Sequence, residues 1–311
     1  MNYPLFFDPK NSLNLYGLNK DFNFLSFLYQ KKKLPKVLML TGRKGIGKST
    51  LVNHLLYSIF DEKKYDKKNF SLSNNSSFHS QFSNNIFPNV IYVNGSDFKS
   101  VKIDDVRNLK NKILQSTFSG KDRFIILDDV ELFSINSLNA LLKTIEEPGK
   151  NNFFFLINNK SKPLLDTMKS RSLEIKIILN EITRLEIISK LSNLYELNPI
   201  SGFEHFNLTP GNYVKFCYIC NEQNISLESH FTDNLSLLLD LYKKNRDILF
   251  INLALFIAEN YLKNLADKNF FKTERIIEMK NFIINNLNNY VLYNINQNSL
   301  INAINNKLNY E

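Results

Sequence analysis

Two regimes of apolar patterning divide this chain. Up to about residue 177, short runs that are apolar at nearly every position alternate with stretches in which apolar residues recur every three or four places. The continuous runs are Val37–Thr41, Val90–Val93, Phe124–Asp128, Phe153–Ile157 and Leu173–Ile177. Runs this short and this uniformly apolar predict parallel strands covered on both faces. Helical spacing marks Thr50–Phe60, Ile103–Leu114 and Ser137–Glu146; in the first, Leu51, Val52, Leu55, Leu56 and Ile59 share one face. The alternation predicts a doubly wound α/β domain with a parallel sheet and its ligand at the carboxyl edge of the strands.

After Asn180 the strand signals fade. Ile182–Leu194 and Gly211–Asn221 read as helices joined through Leu208-Thr209-Pro210-Gly211. From Leu227 onward helical periodicity dominates, over Leu235–Tyr242, Ile248–Leu262, Thr273–Tyr293 and Ser299–Leu308. The expected organisation is an α/β domain at 1–179, a small helical lid at 180–224 and an all-α C-terminal domain at 225–311. Within the first domain, the charge-rich Asp61–Lys68 and the Ser/Asn run Asn69–Asn85 read as an exposed, partly disordered excursion.

Composition changes this picture little. With 43% hydrophobic and 22% charged residues, the 311-residue chain is ordinary for a globular protein and long enough for two or three domains. A formal charge of +9 leans toward acidic partners such as nucleic acid. The cluster Lys31-Lys32-Lys33 reads as a solvated helix end rather than a nucleic-acid patch. No uninterrupted apolar run approaches membrane-spanning length, and the start MNYPLFFDPKNS lacks the basic-then-apolar order of a signal peptide, so the expected location is cytoplasmic, with no membrane partner. The two cysteines, Cys217 and Cys220, supply half the ligands of a zinc site, and the four histidines are scattered. Both thiols fall on the apolar side of a helical pattern, so buried reduced cysteines are expected and no zinc.

The chemistry concentrates at Gly42-Arg43-Lys44-Gly45-Ile46-Gly47-Lys48-Ser49, a complete phosphate-binding loop between an apolar strand and a helix. Gly42, Gly45 and Gly47 let the backbone curl so that its N–H groups point inward at a phosphate chain. The helix N-terminus, at Thr50, adds its positive end to the same cavity. Lys48 can reach the β- and γ-phosphates, and the Ser49 hydroxyl can hold Mg²⁺. The strand Phe124–Leu127 ends in Asp128-Asp129, and after such a loop Asp128 is the natural outer partner of the same Mg²⁺. The expected ligand is ATP or ADP with Mg²⁺.

Asn139-Ala140-Leu141-Leu142-Lys143-Thr144-Ile145-Glu146-Glu147-Pro148 closely resembles the NALLKxLEEP signature of bacterial clamp-loader subunits. Phe153-Phe154-Phe155-Leu156-Ile157-Asn158-Asn159 looks like their sensor strand, which carries Asn158 to the nucleotide. Ser170-Arg171-Ser172 looks like their Ser-Arg-Cys motif, and Leu34-Pro35 and Lys102-Ile103-Asp104-Asp105-Val106-Arg107 match in order and spacing. The resemblance covers roughly residues 12 to 215. It is to the delta-prime subunits of the DNA polymerase III clamp loader and, less closely, to the gamma/tau motor subunits, both of the AAA+ class. It implies a P-loop AAA+ domain, a lid and a collar-type C-terminal domain. It also implies a ring with delta and gamma/tau subunits that loads a sliding clamp onto primer–template DNA.

Departures from the motor pattern point to the stator role. Motor subunits end the acidic strand in Asp-Glu, whereas Asp129 here is one methylene shorter, about 1.5 Å of reach. Misplacement on that scale costs on the order of a hundredfold in rate. Their lid arginine follows a small-residue turn; here Pro210-Gly211 is followed by Asn212, which supplies no cation. Their four-cysteine zinc module is replaced by the cysteine-free 61–87 region. Arg171, by contrast, matches the arginine finger offered to a neighbouring subunit, where a guanidinium offsets charge on the transferred phosphoryl. Arg107 and Lys110, three apart on one helix, are candidate DNA-phosphate contacts and equally an ordinary solvated face. The expected function is thus a stator with little ATPase of its own. The alternative within the family is a motor-type ATPase using Asp129. An unrelated P-loop phosphotransferase fits less well, because no substrate-binding base stands out.

Overall fold

A computed structural model describes residues 3–73, 75–96, 103–114, 120–200, 207–227, 229–268 and 272–309, with the side chains at 103–107 and 114 outside that description. The main sheet consists of β1 (Val37–Thr41), β4 (Val90–Asn94), β5 (Arg123–Asp128), β6 (Asn152–Asn158) and β7 (Leu173–Lys176). Its order is β4-β5-β6-β1-β7, with every neighbouring pair parallel. All five runs of continuous apolar sequence are therefore strands of one sheet, as expected.

Their uniform apolarity has the expected cause, since the period-2 alternation of a strand feeds two cores. Leu38, Leu40, Phe124, Ile126, Phe153, Phe155 and Ile157 join α1 (Asn19–Gln30) and α2 (Lys48–Phe60) on one face. Val37, Met39, Ile125, Leu127, Phe154 and Leu156 join α4 (Ile103–Leu114) and α5 (Ile135–Glu146) on the other. β1, β5 and β6 are sandwiched, so their polar residues appear only where they end, whereas the edge strand β7 is largely exposed and carries Glu174 within it.

The excursion expected at 61–87 is corrected. Its described residues form a two-stranded hairpin, β2 (Tyr65–Asp66) with β3 (Ser71–Leu72), and a helix, α3 (Ser77–Ser83). Ser76 caps that helix by accepting from the His79 N–H at 3.0 Å and anchors it by donating to Asp61. Tyr65, Leu72, Phe78 and Phe82 are buried in the same core as α2. Phe78 and Phe82 lie four apart, so a helix turns both inward; Phe78 meets Tyr57, Phe60, Phe82 and Phe87 at ring-centroid distances of 4.6 to 5.8 Å. The phenylalanines scattered through this polar run are its packing face.

The chain resolves into two compact units. One runs to Tyr195 and takes in Asn207–Val214; the other runs from Lys215. The helix α7 (Glu181–Leu194) belongs to the first, and α8 (Pro210–Glu222) starts in it. The second unit is helical, with α9 (Phe231–Asn245), α10 (Ile248–Asp267), α11 (Thr273–Tyr293) and α12 (Gln297–Asn309). Cys217 and Cys220 are buried and unbridged, as expected of apolar-face thiols, and burial raises Cys220 to about 12.

Helix α10 is long and apolar enough to span a membrane by length and composition, with a mean hydropathy of 1.2, although it holds no uninterrupted apolar run of that length. Asn252, Glu259 and Asn260 interrupt it as a run but not as a helix. Phe250, Leu253, Ala254, Ile257 and Leu262 are buried in the helical core against α9 and α11. Its exposed side carries Glu259, paired with Lys280 of α11 at 2.6 Å. It is a packed core helix.

Candidate nucleotide-binding site

Because the strands are parallel, their carboxyl ends share one edge. Register aligns Thr41 with Asn158 and Lys176, and Asn94 with Asp128. The Gly42–Ser49 loop leaves β1 at that edge, so the residues singled out in three separate stretches of sequence come together there. Gly47 adopts φ 95° and begins α2 with no side chain capping it. The first N–H groups of the helix therefore lack a side-chain acceptor, which suits an anion. Thr50 follows in the first turn.

Lys48 is buried at 3% exposure, and its Nζ donates to the carbonyls of Gly42 (2.7 Å) and Arg43 (2.9 Å). Burial lowers its pKa to about 8, with Asp128, Glu131 and Asp129 opposing the shift. At neutral pH it remains mostly a cation, bound to the loop that phosphates would fill. Ser49 Oγ donates to Asp128 Oδ2 at 2.6 Å, and Tyr92 OH donates to the same oxygen at 2.6 Å. Burial raises the Asp128 carboxyl, while the Ser49 and Tyr92 hydrogen bonds pull it down. A hydroxyl and a carboxylate in contact beside an uncapped helix start form a hard-oxygen donor set that fits Mg²⁺.

Asp129 sits at φ 49° and is 3% exposed. Its Oδ2 meets Lys44 Nζ at 2.7 Å and its Oδ1 accepts from Asn159 Nδ2 at 2.6 Å. Burial pushes this carboxyl up, but the charge and hydrogen bond of Lys44, with Asn159 and Ser96, bring it below the usual range. It is ionised with both oxygens engaged. Asn158 turns its Oδ1 to the Lys160 N–H at 2.8 Å, and its carbonyl accepts from Gly42 N at 3.2 Å. Asn159, not Asn158, reaches an acidic residue. Buried Glu131 holds this loop by accepting from the N–H groups of Asn159 and Ser161 and from Ser161 Oγ. Tyr92, Lys44, Asn159 and Glu131 were missed by sequence reasoning, and of these only Asn159 carried a signal, its adjacency to Asn158.

The turn before α8 closes over the loop. Thr209 Oγ1 donates to the Lys44 carbonyl at 2.7 Å and Gly211 N to the Gly45 carbonyl at 2.8 Å. Gly45 has φ 84°, and a Cβ there would lie 2.5 Å from Thr209 Oγ1 and 3.0 Å from Asn212 N. Asn212 thus stands against the loop. Buried Arg184 reaches the Leu208 carbonyl at 2.9 Å and pairs with Glu181. It lines a cavity of about 280 Å³ together with Gly42, Arg43, Ile46, Thr209 and Pro210.

Arg171 is elsewhere. It follows α6 (Asp166–Lys169) and precedes β7, whose other end, Lys176, pairs with Thr41 beside the phosphate loop. Three strand residues, about 10 Å, separate Leu173 from that edge. Its Nε and guanidinium meet Glu146 Oε1 at 2.5 Å, at the end of α5, and its side chain is 33% exposed. Lys110 is half-buried on α4, and the Arg107 side chain lies outside the described residues. Among the described residues no cluster of His, Cys, Asp and Glu is arranged to hold a metal by itself.

Comparison with known proteins places this geometry in a family. Residues 17–180, 164 of the 311, match the family model described as DNA polymerase III, delta subunit. DNA polymerase III subunit delta' of Buchnera aphidicola subsp. Acyrthosiphon pisum is 28% identical over 175 residues, covering 53% of this chain and 49% of that one. The Pseudomonas aeruginosa subunit delta' is 34% identical over 76 residues, 24% and 23% of the two chains. The Escherichia coli subunit tau is 24% identical over 178 residues, 57% and 26%. The chain spans at most about half the length of the subunit delta' relatives it matches. Among solved structures, a Thermotoga maritima DNA polymerase III gamma subunit-related protein aligns over 91% of this chain and 96% of its own. At a TM-score of 0.47 and 14% identity that likeness is loose. With more than half its residues matched by the family model, and with the phosphate loop and acidic strand end that the match contains brought to one edge, this chain belongs to the DNA polymerase III delta subunit family.

Proposed function

We propose that this chain is the delta-prime, or stator, subunit of a DNA polymerase III clamp loader in the cytoplasm. It binds ATP or ADP with Mg²⁺ largely as a structural ligand and hydrolyses it poorly. In a ring with delta and gamma/tau subunits it helps load the sliding clamp onto primer–template DNA, its residues 180–224 acting as lid and 225–311 as collar. Arg171 serves the nucleotide of the neighbouring protomer.

The opposition of Arg171 and the phosphate loop across the sheet carries this reading. A guanidinium at the amino edge of β7 cannot reach phosphates at the carboxyl edge of β1, so any nucleotide it serves belongs to another subunit. Glu146 parks it until a more strongly charged acceptor arrives. Within its own cleft, Lys48, Ser49, Asp128 and the α2 N-terminus suit a nucleotide and Mg²⁺, with Mg²⁺ supplying charge neutralisation between the phosphates. Hydrolysis is disfavoured because Asp129 is short and bound on both oxygens, and because Asn212, which supplies no cation, stands against Gly45 of the loop.

The test is reconstitution. Arg171→Ala in an otherwise wild-type loader should lower DNA-stimulated ATPase at least tenfold while leaving assembly unchanged on gel filtration; unchanged turnover would remove the finger from the account. Single-turnover ATPase of the isolated chain, with Lys48→Ala as control, addresses the motor-type alternative, which the Ser49–Asp128 contact keeps in play. Turnover near that of motor subunits, lost in Lys48→Ala, would replace the stator reading.

A further inference from the structure

The amino edge of the sheet, opposite the phosphate loop, gathers lysines that are far apart in sequence. Lys31, Lys32, Lys33 and Lys36 lead into β1, Lys121 leads into β5, and Lys150 leads into β6. These strands are consecutive in the sheet, in the order β5-β6-β1. At about 4.8 Å between neighbours, their entry loops lie within about 10 Å of one another. The backbone ties them together: Lys36 Nζ donates to the Lys150 carbonyl at 2.5 Å, and Phe154 N donates to the Lys36 carbonyl at 2.7 Å. Asn89 reaches the Lys121 carbonyl from β4's side, and Tyr29 of α1 donates to Asp122 at 2.9 Å.

Five of the six lysines are exposed, Lys36 being half-buried over the Phe153 ring. None of the six forms an ion pair with a described residue. The carboxylates on this side are Asp122, held by Tyr29, exposed Glu147, and Glu146, which is taken by Arg171. Two aromatic rings border the patch. Phe24 and Phe27, three apart on α1, are 50% and 53% exposed, and Lys31 Nζ lies 5.9 Å from the Phe27 ring. A row of ammoniums with no ion pair to a described residue, beside uncovered rings, is the combination that tracks a phosphate backbone and stacks bases. In sequence, Lys31–Lys33 reads only as a solvated helix end; the sheet brings three more cations to it.

We infer that this edge is a binding surface for single-stranded nucleic acid, with Lys31, Lys32, Lys33, Lys121 and Lys150 on the backbone and Phe27 stacking a base. It lies at the opposite end of the strands from the nucleotide cleft and shares its edge with Arg171 and Glu146, so it is tested on the isolated chain.

The test is fluorescence anisotropy of the full chain with a labelled thymidine 20-mer between 50 and 200 mM NaCl. The Lys31→Ala/Lys32→Ala/Lys33→Ala variant should bind at least tenfold more weakly at the low salt. Its log–log salt slope should be shallower by about two, at about 0.7 for each single-strand phosphate contact removed. Lys121→Ala/Lys150→Ala should weaken binding several-fold. Phe27→Ala should lose about fivefold or more on the single strand and little on a blunt duplex. Fluorescent ADP binding should be unaltered in all variants, which reports a folded chain with an intact opposite edge. Unchanged oligonucleotide affinity in both lysine variants would overturn the inference. So would displacement by poly-L-glutamate at matched charge together with an unaffected Phe27→Ala, which would make the surface a dock for an acidic protein segment.

Discussion

Lys44→Ala isolates the contact that ties the phosphate loop to the acidic strand. Lys44 Nζ lies 2.7 Å from Asp129 Oδ2, with the lysine side chain 51% exposed and the aspartate 4%. Fully exposed pairs contribute about 0.2–1 kcal/mol, while stripping the partner from a buried charge costs about 3–5 kcal/mol. With one half in water and the Asn159 hydrogen bond retained, the expected loss at pH 7 is about 1–2 kcal/mol. In the wild type, Asp129 titrates below its ordinary range, so its contribution is present above the unfolded carboxylate pKa of about 3.9 and is lost as pH falls through the folded value. Without Lys44, burial is opposed only by the Asn159 and Ser96 hydrogen bonds, and the folded pKa rises. The variant then carries its full deficit at pH 7 and recovers as pH falls through that raised folded value, where Asp129 protonates. Urea unfolding followed by tyrosine fluorescence, the chain having no tryptophan, measures both. A double-mutant cycle with Asp129→Asn completes the assay, because a neutral amide has little use for the cation. If Lys44→Ala costs the same in the wild-type and Asp129→Asn backgrounds, or if its deficit does not change with pH, the electrostatic account is refuted.

Gly45→Ala should destabilise the chain by about 1–2 kcal/mol, from a left-handed residue alone; the clash with Thr209 Oγ1 should also weaken fluorescent ADP binding. Wild-type affinity and stability would mean that the turn before α8 is not seated on the loop. His54 is buried, its Nε2 facing the Ser12 carbonyl and its Nδ1 the Tyr65 hydroxyl, so it is neutral with Nε2 carrying the proton. Burial lowers its pKa to about 4. The unfolded chain binds this proton first, so stability falls by about 3 kcal/mol as pH drops from about 6.5 to 4; an imidazole resonance titrating near 6.5 in the folded state would contradict this. Phe78→Ala should cost about 3 kcal/mol, measured by thermal unfolding, whereas a loosely attached 61–87 segment would show almost no change.

Sequence alone determined the parts whose information is local. The Gly42–Ser49 loop is contiguous, the central strands announce themselves by uniform apolarity, and Asp128-Asp129 ends one of them, because covering a strand on both faces leaves polar residues only at its tip. A misreading arose where a polar surface hid a packing face. The helix bearing Phe78 and Phe82 sits in a Ser/Asn run. Tertiary structure decided the partners. Lys44 meets Asp129 across 85 residues, Tyr92 meets Asp128 across 36, and Asn159 rather than Asn158 turns toward the carboxylate. No spacing rule foretells such pairs, since they depend on which strands become neighbours. The same cause brought Lys121 and Lys150 to Lys31–Lys33, and set Arg171 at the far end of β7 from the loop: strand order and direction are properties of the assembled sheet, not of any stretch of chain within it.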